Sequence, residues 1–103
     1  ADIVGALPVE TVVMNSLTVN LHLLMVSFYR PTAKRYKIVI EAGAFPSDRY
    51  AVQSQIKFHG FEPENALIEL KPRPGEDVLR TEDVEKSIAE QGASLALILL
   101  GGV

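Results

Sequence analysis

Apolar residues recur along this chain in two rhythms, and the switch between them predicts most of its elements. Val9 to Met14 is rich in β-branched residues, with Thr11-Val12-Val13 at its centre, which suits a short strand. Asn15 and Ser16 interrupt it. From Leu17 to Phe28 the residues Leu17, Leu21, Leu24, Met25 and Phe28 fall at helical spacing, and Pro31 and Thr32 close that helix. Ile38-Val39-Ile40 is a compact strand. Beyond a turn at Glu41 to Ala44, Ser47 or Asp48 can cap a helix that runs to His59 through Ala51, Val52, Gln55 and Ile56. Gly60 then suits a left-handed helix end.

The second half repeats the pattern. Ala66 to Leu70 reads as a strand, and Lys71 to Asp77 as a loop punctuated by Pro72, Pro74 and Gly75. Thr81 is the expected cap of a helix with Glu82 and Asp83 in its first turn, Val84, Ile88 and Ala89 on its apolar face, and Gly92 at its end. Leu95 to Leu100 is the last strand. Strand and helix thus alternate three times before a final strand, the order of an α/β fold with a mostly parallel sheet covered by helices. The whole of 1–103 reads as one piece of one domain, without repeats or a linker. The apolar run Ser94 to Leu100 has no polar tail after it. It reads as a strand of a larger domain, the alternative being a small domain with a C-terminal strand.

Composition narrows the field. The chain is 48% hydrophobic with few aromatics, which fits a packed domain and not a disordered one. A net charge of −3 argues against a nucleic-acid binder. The absence of cysteine removes disulfides, cysteine-ligated zinc and thiol nucleophiles. No apolar run approaches the roughly 18 residues of a membrane span, because Asn20, His22 and Ser27 break the richest one.

Two junctions carry candidate chemistry, since ligands of open α/β sheets bind at the carboxyl ends of strands. At Asn15-Ser16-Leu17-Thr18 a helix begins, and helix N-termini present free N–H groups to phosphate; Thr18 adds a hydroxyl. Ordinary capping by Asn15 or Ser16 explains the same residues. At Phe45-Pro46-Ser47-Asp48 an aromatic can stack on a planar ring and a carboxylate can pair with a protonated ring nitrogen. A core Phe45 and a first-turn Asp48 are the plain alternatives. His22 and His59 lack metal-ligand spacing, Lys34, Arg35 and Lys37 read as a solvated basic cluster, and Gly101-Gly102 is no phosphate loop.

A resemblance joins the two junctions. Ala1 to Leu7, Met14 to His22, Lys34 to Ile38, Glu41-Ala42 with Ala44 to Asp48, Lys71-Pro72-Arg73 with Gly75-Glu76, and Thr81-Glu82-Asp83 together resemble kynureninase, without an apparent gap over the chain. That family belongs to the fold-type I enzymes that use pyridoxal 5'-phosphate (PLP) and is related to the class V aminotransferases. The resemblance implies a three-layer α/β/α large domain, of which 1–103 would be a partial, cofactor-binding piece. It implies a cytoplasmic homodimer that hydrolyses kynurenine to anthranilate and alanine, or 3-hydroxykynurenine to 3-hydroxyanthranilate and alanine, in tryptophan catabolism and NAD biosynthesis. Neither nucleic acid nor membrane is implied as a partner.

By the same resemblance, the Leu17 N–H and Thr18 hold the cofactor phosphate, Phe45 stacks on the ring, Asp48 faces the ring nitrogen, and Ser47 belongs to that segment. Family members often have Ser where this chain has Gly101, which leaves only backbone for that contact. The lysine that bonds the cofactor, a second Asp, a His and a substrate-binding Arg are expected after Val103, so no catalytic residue is assigned here. A cysteine desulfurase or selenocysteine lyase fits the run from Asn15 to Asp48 less well; a non-enzymatic module with a vestigial pocket is the other alternative. The isolated 103-residue chain is therefore expected to release no anthranilate from kynurenine, because hydrolysis needs the missing lysine and base. Measurable release would refute this.

Overall fold

Ile38, Val39 and Ile40 are exposed by at most 1%, and the rest of the fold is arranged to cover them. They form the middle of β1 (Lys37–Glu41), the central strand of a three-stranded sheet in the order β2-β1-β3. The structure is a computed structural model and describes residues 1–102. β2 (Leu67–Leu70) and β3 (Leu95–Ile98) flank β1, and both run parallel to it. Val39 lies opposite Ile68 on one side and Ile98 on the other. A parallel strand with neighbours on both edges is buried on both faces, so an unbroken Ile-Val-Ile run fits where an alternating one would not.

Two helices cover one part of this core. α1 (Leu17–Phe28) starts at Ser16, whose hydroxyl accepts the Val19 N–H at 3.4 Å, and ends at Tyr29, whose N–H reaches the Met25 carbonyl at 2.8 Å. α2 (Pro46–Phe58) starts with Pro46, whose fixed φ suits a first helical position and whose missing N–H costs nothing there. It closes before Gly60, which takes the left-handed φ of 84° that a Cβ would oppose. Leu21 and Met25 of α1 pack with Ala51, Val52 and Ile56 of α2 over Ile38 and Ile40. Tyr29 is buried in the same cluster and its hydroxyl donates to the Tyr36 carbonyl at 2.7 Å; burial raises the phenol above its ordinary pKa. The short α3 (Pro63–Ala66) leads directly into β2.

α4 (Thr81–Gln91) has no buried residue. Glu82 and Asp83 sit in its first turn, where they oppose the positive end of the helix dipole. The loop before it is tethered twice. Arg73 makes two hydrogen bonds to Asp83, at 2.8 and 2.7 Å, and Arg80 pairs with Glu76. The Arg73 guanidinium holds the Asp83 carboxyl below its ordinary pKa. Lys37 and Arg35 reach the other end of α4, through Gln91 Oε1 at 3.0 Å and the Gly92 carbonyl at 3.2 Å.

The α/β class and the parallel sheet agree with the sequence pattern, and several local expectations do not. The strand expected at Val9 to Met14 is absent: Pro8–Glu10 is a single 3-10 turn, the residues after it up to Ser16 form no strand or helix, and Val13 is 97% exposed. β-branched residues favour a strand only where a neighbouring edge pairs with it, and no described strand does. The alternation therefore holds two strand-helix units before the last strand, not three. Pro46 starts α2, which puts Ser47 and Asp48 inside the first turn and leaves neither as the cap. Arg80 occupies the position before α4, so Thr81 is the first helical residue and makes no side-chain cap. Ala66 belongs to α3 and not to β2, and β3 ends at Ile98, short of Leu100.

Much apolar surface stays open. Leu23, Leu24, Val26 and Phe28 of α1 are each more than half exposed, whereas a helix apolar on all sides is normally covered. β2 and β3 also present outer edges among the described residues. The isolated 103-residue polypeptide is expected to self-associate and to bind a hydrophobic dye in gel filtration and fluorescence experiments. A soluble monomer with one sharp thermal transition would contradict this. The tether makes a second expectation. Because the folded-state pKa of Asp83 is depressed, the Arg73–Asp83 contact contributes at pH above the ordinary carboxylate value of about 3.9 and is lost as pH falls through the folded value. Arg73→Ala in the complete polypeptide should make the loop at 71–80 as protease-sensitive at neutral pH as acid makes it in the parent, measured by limited proteolysis.

Candidate functional site

The chain leaves β1 for β2 on one side and reaches β3 on the other, so the strand order reverses at β1. Open parallel sheets leave a crevice at such a reversal, at the carboxyl ends of the strands. A cleft of about 450 Å³ lies there. That volume falls within the range of about 300–1,000 Å³ usual for small-molecule sites. Its floor comes from the end of β1, at Ile40 and Glu41, and from Leu99 and Leu100 just past β3; its walls come from Leu17 at the start of α1 and from Phe45, Pro46 and Asp48 at the start of α2. Two helix N-termini thus meet at one cavity.

Each start contributes differently. Ser16 takes up the Val19 N–H, which leaves the N–H groups of Leu17 and Thr18 as the uncapped donors of α1. Of the two expected caps only Ser16 serves, Asn15 instead accepting the Asn20 amide at its carbonyl, and the cap coexists with a donor array that suits an anion at one helix start. Phe45 sits just before α2 and is 70% exposed, an aromatic face left open at the cleft instead of packed into the core. Asp48 is half-buried, and its Oδ1 is enclosed without a hydrogen-bond partner. A shielded carboxylate oxygen without a donor is a place for a donor from a ligand.

Of the residues singled out from the sequence, Leu17, Phe45, Asp48 and Gly101 come together on the lining. Thr18 and Ser47 do not; each follows a lining residue along its own helix. The Gly101 N–H is already engaged, since it donates to Glu41 Oε1 at 3.1 Å. Glu41 was missed by the sequence reading. The signal was available: it is the first polar residue after the buried run of β1, at the carboxyl end of the central strand. No Lys, Arg or His lines the cleft among the described residues. The positive character it offers to an anion comes from the helix starts.

The remaining candidates lie elsewhere. His59 packs edge-on against Tyr29 with ring centroids 5.3 Å apart. His22 bonds to Gln55 across the α1–α2 contact. No group of acidic, His or Cys residues suited to a metal occurs among the described residues, and none of the described helices is long and apolar enough to cross a membrane.

The cleft has the parts for a flat molecule with an anionic arm: free N–H donors at one helix start, an open aromatic face at the other, and a shielded carboxylate for a cationic ring nitrogen. These residues fit a phosphorylated pyridine.

No protein-family model matches the chain. Curated relatives match it throughout. It is 66% identical over 103 residues to a kynureninase of Koribacter versatilis, 61% to one of Myxococcus xanthus and 58% to one of Nematostella vectensis, in each case across 100% of this chain. It spans 22–24% of the length of those relatives. Identity at that level over every residue, from bacteria to an animal, makes this chain a member of the kynureninase family, corresponding to about a quarter of such a protein.

Proposed function

We propose that the complete polypeptide carrying these residues is a PLP-dependent hydrolase that splits L-kynurenine, or its 3-hydroxy form, with water into the anthranilate and L-alanine. The observation that carries this reading is the meeting of Leu17, Phe45 and Asp48 on one cleft in a chain identical at 58–66% to the kynureninases just described. The reading includes a cytoplasmic homodimer. The open apolar side of α1 supports further protein around this segment, from the same chain or a second one.

In this reading the Leu17 N–H and Thr18 hold the phosphate, where helix-start donors and the dipole favour an anion. Thr18 lies on the same turn although it is off the lining, so its hydroxyl or N–H serves the phosphate from the side. Phe45 stacks on the ring and excludes water from one face. Asp48 accepts a hydrogen bond from the ring N–H at Oδ1 and keeps the proton on the nitrogen, since a nearby negative charge favours the charged form of its partner. Ser47 supports the same turn, and Gly101 contributes through its carbonyl, its N–H being held by Glu41. When bound, PLP supplies an electron sink for breaking bonds at the amino-acid carbons. Proton transfer to and from the substrate falls to residues outside this segment.

The test is to express the complete polypeptide, record its PLP absorbance, and assay kynurenine against cysteine. Anthranilate and alanine in equal amounts are expected from kynurenine, and no sulfur release from cysteine; the reverse would identify a class V lyase. Asp48→Asn should lower kcat/KM by about a hundredfold or more, the scale on which loss of one aimed electrostatic partner acts. Full activity in that variant would remove Asp48 from the ring-nitrogen role.

A further inference from the structure

The helices that bound the cleft are joined by one polar contact in an otherwise apolar interface. Gln55 Nε2 of α2 lies 3.0 Å from His22 Nδ1 of α1. Around it Leu21 and Met25 face Ala51, Val52 and Ile56. Gln55 is only 9% exposed, and its Oε1 is buried without a hydrogen-bond partner. An apolar side chain at this position would fill the space without that cost, so stability alone does not account for a glutamine. Apolar contacts are non-directional and let two helices slide or roll against each other. A hydrogen bond in a low-dielectric interior holds one distance and one angle.

Its place along the helices gives it a consequence. His22 is five residues beyond Leu17, and Gln55 seven beyond Asp48. At 1.5 Å per residue the contact sits about 8 Å below the start of α1 and about 10 Å below the Asp48 turn of α2. A roll of a few degrees about this point moves either start by about half an ångström to an ångström relative to the other. With Nε2 of the amide facing Nδ1, Gln55 donates and the ring nitrogen accepts.

We propose that His22 and Gln55 are positioning residues: their hydrogen bond sets the spacing between the α1 start and the Asp48 turn, so that one cofactor meets the phosphate donors and the ring-nitrogen carboxylate together. This rests on the PLP reading of the cleft.

The experiment is an equilibrium titration of the PLP-free complete polypeptide with PLP, beside the melting temperature of the same PLP-free protein, for His22→Phe, Gln55→Met, the double variant and His22→Asn. Gln55→Met and His22→Phe should each weaken PLP binding by about three- to tenfold, the range of coupling between contacting residues. The melting temperature should stay level or rise. The double variant should bind as weakly as either single one, because one shared contact is lost once. His22→Asn, whose amide oxygen stands near the place of Nδ1, should bind PLP within about twofold of the parent. Unchanged affinity in the single variants, losses that track the melting temperature, or losses that multiply in the double variant would overturn the proposal while leaving the PLP reading intact. A parent protein that takes up no PLP overturns both.

Discussion

Everything in this segment hangs on the burial of Ile38-Val39-Ile40 between two parallel neighbours. A strand paired on both edges and covered on both faces must be apolar without a break, and the chain supplies such a run at β1. From that position the layout follows. β2 and β3 take the two edges, α1 and α2 seal Ile38 and Ile40, and the first residue with a charge at the carboxyl end, Glu41, arrives at a surface that the edges and helices have already shaped into a cleft.

The cleft is economical in polar side chains, and in the proposed reading the backbone does much of the recognition. No cationic side chain lines the cleft among the described residues; the anion-binding capacity is that of helix starts. In that reading the side chains add selectivity for shape and charge through the open ring of Phe45 and the shielded oxygen of Asp48, while the Glu41 carboxylate ties Gly101, three residues past β3, to the end of β1. The Glu41–Gly101 bond and the His22–Gln55 bond act on the same problem from two levels. One fixes the strand ends that form the floor, and the other fixes the helices that form the walls.

The uncovered surfaces belong to the same logic. The open apolar residues of α1, α4 without a buried residue and the outer sheet edges among the described residues leave much of this segment uncovered, and it spans about a quarter of the length of its relatives. Burial in a small unit is less complete than in a large one, and here it is concentrated on one strand and the helices over it.

Read alone, the amino-acid order determined the α1 boundaries from Leu17 to Phe28, the central strand, the glycine stop at Gly60 and the α/β class, because each rests on local periodicity, proline geometry or a backbone conformation that only glycine takes readily. The chemistry of two junctions also marked the helix start at Asn15 to Thr18 and the pair Phe45 and Asp48, and the family resemblance singled out the Leu17 N–H. Only tertiary structure decided that Leu17, Phe45 and Asp48 share a cavity while Thr18 and Ser47 stand off its lining, that Glu41 belongs to it, and that Val9 to Met14 is no strand. The reason is common to all of these. Strand pairing, cleft formation and the partner of a buried carboxylate or amide depend on residues distant along the chain, and β propensity in particular has no effect until another edge is there to receive it.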